Sequence, residues 1–425
     1  MKESITILKG DFVFSDLNRN LKCLNNQYLL ISDGIIADIC PVLPDQYKNI
    51  KVQDYTGKII IPGLTDLHVH APQYAFRGIG MDKELLDWLN AHTFPEEAKF
   101  ADREYADRAY SIFVKDLKES ATTRACIFAT IHKEATLNLM DKLEKSGLIT
   151  YTGKVNMDRN SPDILRETDA QKAADATEEW INRAASFTNT KAILTPRFVP
   201  SCTDELMRKL GILQSKYKLR IQSHLSENPS EINWVKELVP SSKGYADAYR
   251  IFNLSGDKDT PAIMAHCVWS NEEERELLKK HGTFVAHCPE SNLNLSSGIA
   301  PVRKYLEEGI NIGLGSDIAA GSGLSIFRQI VHAIQSSKIY WRYIDSNVKP
   351  LSFADAFYIA TAGGGRWFGK TGTFIKGYDA DIVVLDDSSI ESTLKLTAEQ
   401  RLERASYMDD KVKICAKYVK GNRLF

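Results

Sequence analysis

Two periods of apolar residues alternate along this chain. Between about residues 63 and 317, short apolar runs are each followed by a stretch whose apolar residues recur every three to four positions. Eight runs are predicted as strands: Thr65–His70, Ala121–Ile131, Leu148–Met157, Ala192–Val199, Leu219–Leu225, Ala262–Val268, Thr283–Cys288 and Ile310–Asp317. Runs of this kind, bounded by turn residues, suit strands buried on both faces. The stretches between them predict amphipathic helices. After Asp102, the residues Tyr105, Ala109, Ile112, Phe113 and Leu117 would make the buried stripe of one helix. Ser270-Asn271-Glu272-Glu273 predicts a capping box that opens another, with Gly282 at its end. Eight such units predict an α/β fold, a (β/α)8 TIM barrel over residues 63–371. A doubly wound sheet is the competing fold, but no glycine-rich phosphate motif follows its would-be first strand.

The two ends read differently. Ile5–Leu8, Phe12–Phe14, Tyr28–Ile31 and Ile35–Ile39 are short strand-like runs separated by Asn, Asp and Gly, including Asp33-Gly34. Asp381–Leu385 and Val412–Ala416 have the same character, with Lys376-Gly377-Tyr378-Asp379 as a turn. Chain termini usually lie close together, so residues 1–62 and 372–425 are expected to pair into one small β-sandwich domain. A further irregularity is the stretch of about thirty residues, Ala71 to Ala101, between the first strand and its helix. It is far longer than an ordinary connection and is expected to cover the active face of the barrel.

Composition narrows the function without choosing one. The chain has 425 residues, 43% hydrophobic and 26% charged, with a net charge of -1. Those values fit a soluble globular protein and argue against a nucleic-acid or membrane partner. There is no apolar run long enough to span a bilayer, and the N-terminus lacks a signal-peptide pattern. Seven scattered cysteines without a C-x-x-C pair fit reduced thiols, hence a cytoplasmic location.

The chemistry gathers at the predicted strand ends, where barrel enzymes carry their catalytic groups. The first strand ends with His68 and His70, whose side chains share a face because strand residues alternate. The fifth ends with His224 followed by Glu227, the sixth with His266, the seventh with His287 and the eighth with Asp317. Three imidazoles and one carboxylate, from His68, His70, His224 and Asp317, suit a borderline divalent ion such as Zn²⁺. Such an ion brings the pKa of a water toward neutrality. Asp317 could then take the water's proton, His266 could hydrogen-bond the water or the oxyanion, and Glu227 could shuttle a proton. His287 is expected to be structural. His92, His132, His281 and His332 fall in predicted loops or helices and are expected to be structural or on the surface.

With these positions assembled, the chain resembles the amidohydrolase superfamily. The resemblance rests on Pro62-Gly63-Leu64-x-Asp66-x-His68-x-His70, on a histidine at each of strands five and six, and on Gly315-Ser316-Asp317 and Gly377-x-Asp379-Ala380-Asp381-Ile382-Val383. Further stretches are similar to the members that deaminate guanine: His70–Tyr74, Thr93–Glu96, Gly153–Asp158, Thr195–Phe198, Ser226–Asn228 and Ala286–Leu293. This likeness implies one Zn²⁺ per chain, with Fe²⁺ as the alternative, held by His68, His70, His224 and Asp317. It implies a purine site made by Gln73, Arg197 and Phe198 and bordered by His224 and Glu227. Glu227, Asp317 and His266 would be catalytic, the reaction would be hydrolytic release of ammonia from guanine, and the assembly would be a homodimer. An arginine donor and an amide that both donates and accepts are suitable partners for a guanine edge, and a phenylalanine can stack on the base. Deamination of another purine, pterin, triazine or pyrimidine is the nearest alternative. Hydrolysis of a cyclic amide is a further one, but it would need a metal-bridging lysine at the end of strand four, where only Lys191 occurs, at the wrong end.

Overall fold

The computed structural model describes residues 4–425. It begins with four strands, β1 (Ile5–Ser15), β2 (Leu21–Ser32), β3 (Ile35–Cys40) and β4 (Val52–Pro62). The first merges two runs expected to be separate. Its pairing with β2 shifts register between Gly10 and Phe12, a bulge that carries the strand through the polar Gly10-Asp11 interruption.

Ten parallel strands follow: β5 (Leu64–His70), β6 (Thr122–Phe128), β7 (Ile149–Gly153), β8 (Val155–Asn156), β9 (Thr190–Ala192), β10 (Thr195–Pro196), β11 (Ile221–Leu225), β12 (Ala262–His266), β13 (Phe284–His287) and β14 (Asn311–Leu314). They form a sheet in the order β5-β6-β7-β9, another in the order β11-β12-β13-β14, and a short β8-β10 pair. Helices alternate with the strands, as the two periods predicted. Every residue of β5 and β6 is buried. Just past β9, Leu194 bridges Ile221 and accepts from Gln222 N at 2.9 Å. On the opposite flank, Asp317 N donates to the His68 carbonyl at 2.8 Å.

The third and fourth predicted strands are each broken in two. At the first break a Cβ on Gly153 would lie 1.8 Å from Thr195 Oγ1, so only glycine allows this close approach. At the second, the chain changes partner: Ile193 N still bonds Thr152 O at 3.2 Å, whereas Leu194 N bonds Arg220 O at 2.9 Å. Helix details also differ from expectation. In helix Arg103–Glu119, Asp102 caps the N–H groups of Glu104 and Tyr105. Its buried stripe is Ala106, Tyr110, Phe113, Val114 and Leu117, while Ile112 is exposed. The helix is rotated so that the larger apolar set, spaced by three and four, faces inward. In helix Glu272–His281, the cap is Asn271, which accepts from Glu274 N, and not Ser270. Gly282 ends it in the left-handed conformation.

The C-terminal strands β15 (Ile382–Asp386), β16 (Lys413–Val419) and β17 (Asn422–Arg423) join the N-terminal ones in a seven-stranded mixed sheet, ordered β17-β16-β15-β4-β1-β2-β3. The two termini therefore share one sheet. Phe12, Ile60, Phe374, Ile382 and Val384 belong to its apolar core. The edge of β3 is held by the turn at 376–379, through Ile36 N to Tyr378 O at 2.8 Å and Gly377 N to Ile36 O at 2.9 Å.

This sheet also positions the chemistry, because β4 runs into β5 through Gly63, whose N–H donates to the Asp381 carbonyl at 3.0 Å. Arg124 on β6 is buried against the same segment, with bonds of 2.6 Å to Asp381 and 2.7 Å to Asp379. Removing one partner of such a buried pair leaves a stranded charge. Among the described residues, no helix is long and apolar enough to cross a membrane, and all seven cysteines are free.

Candidate functional site

Alternation on β5 brings the two imidazoles together as expected, with His68 Nε2 and His70 Nε2 3.2 Å apart. Asp66, below them, is wholly buried. Its carboxyl accepts from His68 N (3.1 Å), Ser316 N (3.0 Å) and the Ser316 hydroxyl. Burial pushes this carboxyl up to about 7, although the Ser316 and His68 donors oppose it. Asp66 thereby ties the end of β5 to the segment that follows β14. One residue on, Asp317 Oδ1 lies 3.2 Å from His68 Nε2 and 3.5 Å from His70 Nε2.

His224 arrives from β11, its Nε2 3.3 Å from His70 Nε2. Its Nδ1 lies 2.6 Å from the Arg197 carbonyl, which can only accept. The ring proton is therefore on Nδ1, and the Nε2 lone pair faces the other two imidazoles. Burial lowers the pKa of His68 and holds His70 and His224 well below the ordinary imidazole range. Burial opposes the charge on Asp317 too, but His68, His266 and His70 outweigh it and keep the carboxylate ionised. Neutral imidazoles and an ionised carboxylate crowded this closely fit a divalent cation, which would share lone pairs that otherwise repel. Nδ1 of His68 and Nδ1 of His70 are buried without a hydrogen-bond partner.

His266, at the end of β12, joins the group, with Nε2 3.4 Å from Glu227 Oε2 and 3.7 Å from Asp317 Oδ2. Its Nδ1 meets Asn292 Oδ1 at 2.9 Å. Burial disfavours the imidazolium, yet Glu227 and Asp317 raise its pKa above the ordinary value. Glu227 is buried, which raises its own pKa. The Asp317 charge adds to that, while His266 and the Ser297 hydroxyl, a donor at 2.9 Å, oppose it. Ser226, His266, Cys267 and Asp317 all have positive φ without being glycine. Such strain gathers where surrounding structure imposes a turn for function. Burial also pushes the nearby Cys288 thiol well above its usual range, so it is protonated and donates to Ala286 O.

The purine-side candidates enclose the same space. Gln73 sits on the short 3₁₀ helix Ala71–Phe76 directly after His70, and its amide accepts from Ala319 N at 3.1 Å. Arg197 and Phe198 follow β10. A cavity of about 450 Å³ is lined by Gln73, Arg197, Phe198, Glu227 and Asp317, with three of the clustered histidines, His70, His224 and His266. All of the sequence-predicted site residues are thus in one place, with His68 behind His70. The 71–101 insertion is not a bare loop. It contains short helical turns, and its Leu85, Trp88 and Leu89 form an apolar side of the cavity.

His287 stands apart from this cavity. It is buried with neither ring nitrogen paired, and burial, then the His266 charge, lowers its pKa to about 3. His132 precedes a helix, His281 bonds the Gly256 carbonyl, and Lys191 is exposed on β9. Sequence reasoning missed Glu231, Asn292, Ser297 and Glu97. Glu231 had a readable signal, since Asn228-Pro229-Ser230-Glu231 is a capping box, and its carboxylate accepts from Glu227 N at 3.1 Å. Asn292 lies inside a stretch already singled out. Ser297 has no local signature.

Comparisons with known proteins agree with the geometry. Residues 59–424 match the amidohydrolase family. A guanine deaminase of Dictyostelium discoideum is 41% identical, covering 99% of this chain and 98% of its own. One from Escherichia coli K12 is 35% identical over 82% of this chain and 76% of its own. A crystal structure of guanine deaminase from C. acetobutylicum, with guanine bound in its active site, is 47% identical. It superposes with a TM-score of 0.96 over 99% of this chain and 100% of that one.

Proposed function

From the premise that this chain belongs to the amidohydrolase family, we propose that it deaminates guanine hydrolytically, giving xanthine and ammonia. The relatives described above support the substrate. The observation that carries the reading is one cavity that holds Gln73, Arg197 and Phe198 on one side and Glu227, His266 and Asp317 on the other.

His68, His70, His224 and Asp317 would hold one divalent cation, Zn²⁺ or Fe²⁺. When bound, such a cation supplies the Lewis acidity that makes water nucleophilic near neutral pH. The protein's side chains do the rest. Arg197 and Gln73 hydrogen-bond the carbonyl and nitrogen edge of the base, and Phe198 packs on its face. As water adds at the amino-bearing carbon, Asp317 accepts the water's proton and Glu227 delivers one to the adjacent ring nitrogen. Glu227 suits this exchange because burial raises its pKa toward the working range of an acid that must also act as a base. His266 lies 3.4 Å from Glu227 and 3.7 Å from Asp317, so it steadies both carboxylates. Glu227, left ionised by that delivery, takes the proton of the added hydroxyl as the carbonyl forms. Asp317 returns its proton to the amino group, so the C–N bond breaks, ammonia leaves and both carboxyls are restored. Leu85, Trp88 and Leu89 keep bulk water from the base.

We also read the two four-stranded parallel sheets as halves of one (β/α)8 barrel spanning 63–371. The contacts at Leu194–Ile221 and Asp317–His68 support its closure. Residues 1–62 and 372–425 would then be the second, β-sandwich domain.

The test is to incubate the metal-loaded protein with guanine, adenine, cytosine and cyclic ureides while following ammonia. Release from guanine at a rate well above that from the other substrates is expected. No ammonia from guanine, with the metal content verified, overturns the proposal.

A further inference from the structure

Gln73 and Arg197 come from distant parts of the chain, and a buried carboxylate joins them. Glu97 lies on the short helix Phe94–Ala98 of the 71–101 insertion. Its Oε1 accepts from Gln73 Nε2 at 2.9 Å, and its Oε2 accepts from Arg197 Nη1 at 2.7 Å. The three side chains are 1%, 2% and 3% exposed respectively, so bulk water replaces neither bond. Glu97 itself is absent from the described residues that line the cavity. It does not meet the base and acts through the two groups that do.

The geometry points to Glu97 as the positioning residue that sets both the orientation of Gln73 and the charge presented by Arg197, and with them the preference for a neutral purine. This rests on the functional reading above. A carboxylate can only accept, so Gln73 must turn its NH₂ toward Glu97. Its oxygen then meets the Ala319 N–H at 3.1 Å, a donor that would clash with the flipped amide. The amide is held at both ends, and it offers the base one remaining N–H and one remaining lone pair in a fixed order. A flipped Gln73 would exchange donor for acceptor along the purine edge. A site built for one edge pattern rejects the other because buried groups are left unpaired.

The second effect is electrostatic. An unpaired buried guanidinium would favour an anionic ligand, since burial strengthens charge–charge attraction. The Glu97 bond cancels that preference while leaving Arg197 its remaining N–H donors. The guanidinium is further held over the Phe94 ring, 5.4 Å from its centroid. The insertion thus does more than cover the cavity: its helix sets the two polar recognition groups.

Glu97→Gln and Glu97→Asp test this, with guanine kinetics, guanine binding by calorimetry, urate inhibition and metal content as readouts. Glu97→Gln keeps the shape but offers only one acceptor oxygen. Its KM for guanine and its calorimetric Kd should rise about tenfold or more, with kcat within about threefold and metal content unchanged. Urate, an anion at neutral pH, should inhibit this variant more strongly than the parent protein. Glu97→Asp keeps the charge with a shorter reach, so KM should rise with no gain in urate inhibition. Folded variants with parental KM, or with parental urate inhibition in Glu97→Gln, overturn the inference. If Glu97→Gln fails to fold, the Glu97→Asp KM decides alone. Absence of guanine turnover in the parent protein counts against the proposed activity instead, and calorimetric binding of guanine and of urate then reads Glu97.

Discussion

The two sides of the cavity are built in opposite ways. On the proposed metal side, each group stands at or just beyond the end of a parallel strand: His68 and His70 on β5, His224 on β11, His266 on β12 and Asp317 after β14. Backbone hydrogen bonds and buried partners such as Asp66 and Asn292 hold them. On the base side, Gln73, Leu85, Trp88 and Glu97 come from the insertion, and Arg197 and Phe198 from the segment after the broken fourth strand. Of these, Gln73 and Arg197 are joined through Glu97 and not by a strand ladder. The difference teaches a division of labour. The half proposed to supply a fixed donor set stands on paired strands, and the half proposed to choose the ring stands on connections that can vary without disturbing it.

Substitutions on each side should separate the two roles. The largest effect is expected from His70→Ala, which removes a proposed ligand. It should lower bound metal and reduce turnover by more than the ~100-fold typical of changes to outer partners. Elemental analysis beside an ammonia assay checks both, and full metal with full turnover would end the ligand assignment. Next is Glu227→Gln, expected to keep the metal and the fold and lower kcat by about 10²–10⁴-fold. A parental kcat would remove its proton-carrying role. Phe198→Ala should act on the other side only. Losing a face-on aromatic contact costs about 1–3 kcal/mol per base, so KM should rise roughly tenfold with metal content unchanged. A fall in kcat without a change in KM would place Phe198 with the chemistry instead of with recognition.

The smallest effect is expected from Glu231→Gln and is read on stability. Burial first, then the Glu227 charge, raises the Glu231 carboxyl from 4.5 to about 7. The folded state therefore keeps a proton that the unfolded chain loses over this window. Stability from this group is fully present below about 4.5 and is lost as pH rises through about 7. Glu231→Gln removes that slope, worth on the order of 3 kcal/mol. Its melting temperature should fall less than the parent's between pH 5 and pH 8, and an unchanged difference would refute the assignment.

The clustering of the proposed metal side was legible because its signals are local. His68 and His70 share a strand, and β/α alternation told which ends of the other strands would meet them. Part of the base side was legible only through resemblance: nothing in the spacing of Gln73, Arg197 and Phe198 marks them as neighbours. Glu97 was missed although it adjoins a stretch singled out for its likeness, because a carboxylate in a helical turn reads as a solvated charge. The rotation of helix Arg103–Glu119 was missed for a related reason. Ile112 fits the apolar period, and only packing decides which of two overlapping stripes turns inward.

By itself, then, the sequence determined the alternation of strands and helices, the pairing of the two termini, and the set of imidazoles and carboxylates at the strand ends. Periodicity and residue chemistry act over a few positions, so they can be read from the chain alone. The tertiary structure decided what depends on groups meeting across long separations. It broke the third and fourth strands where Gly153 meets Thr195 and where Leu194 turns from Thr152 on β7 toward Arg220 and Ile221. It drew His266 and Glu227 to within 3.4 Å of each other. It also set one buried carboxylate between Gln73 and Arg197, a bond whose partners lie 24 and 100 positions away in the chain and which burial, more than any local pattern, makes strong.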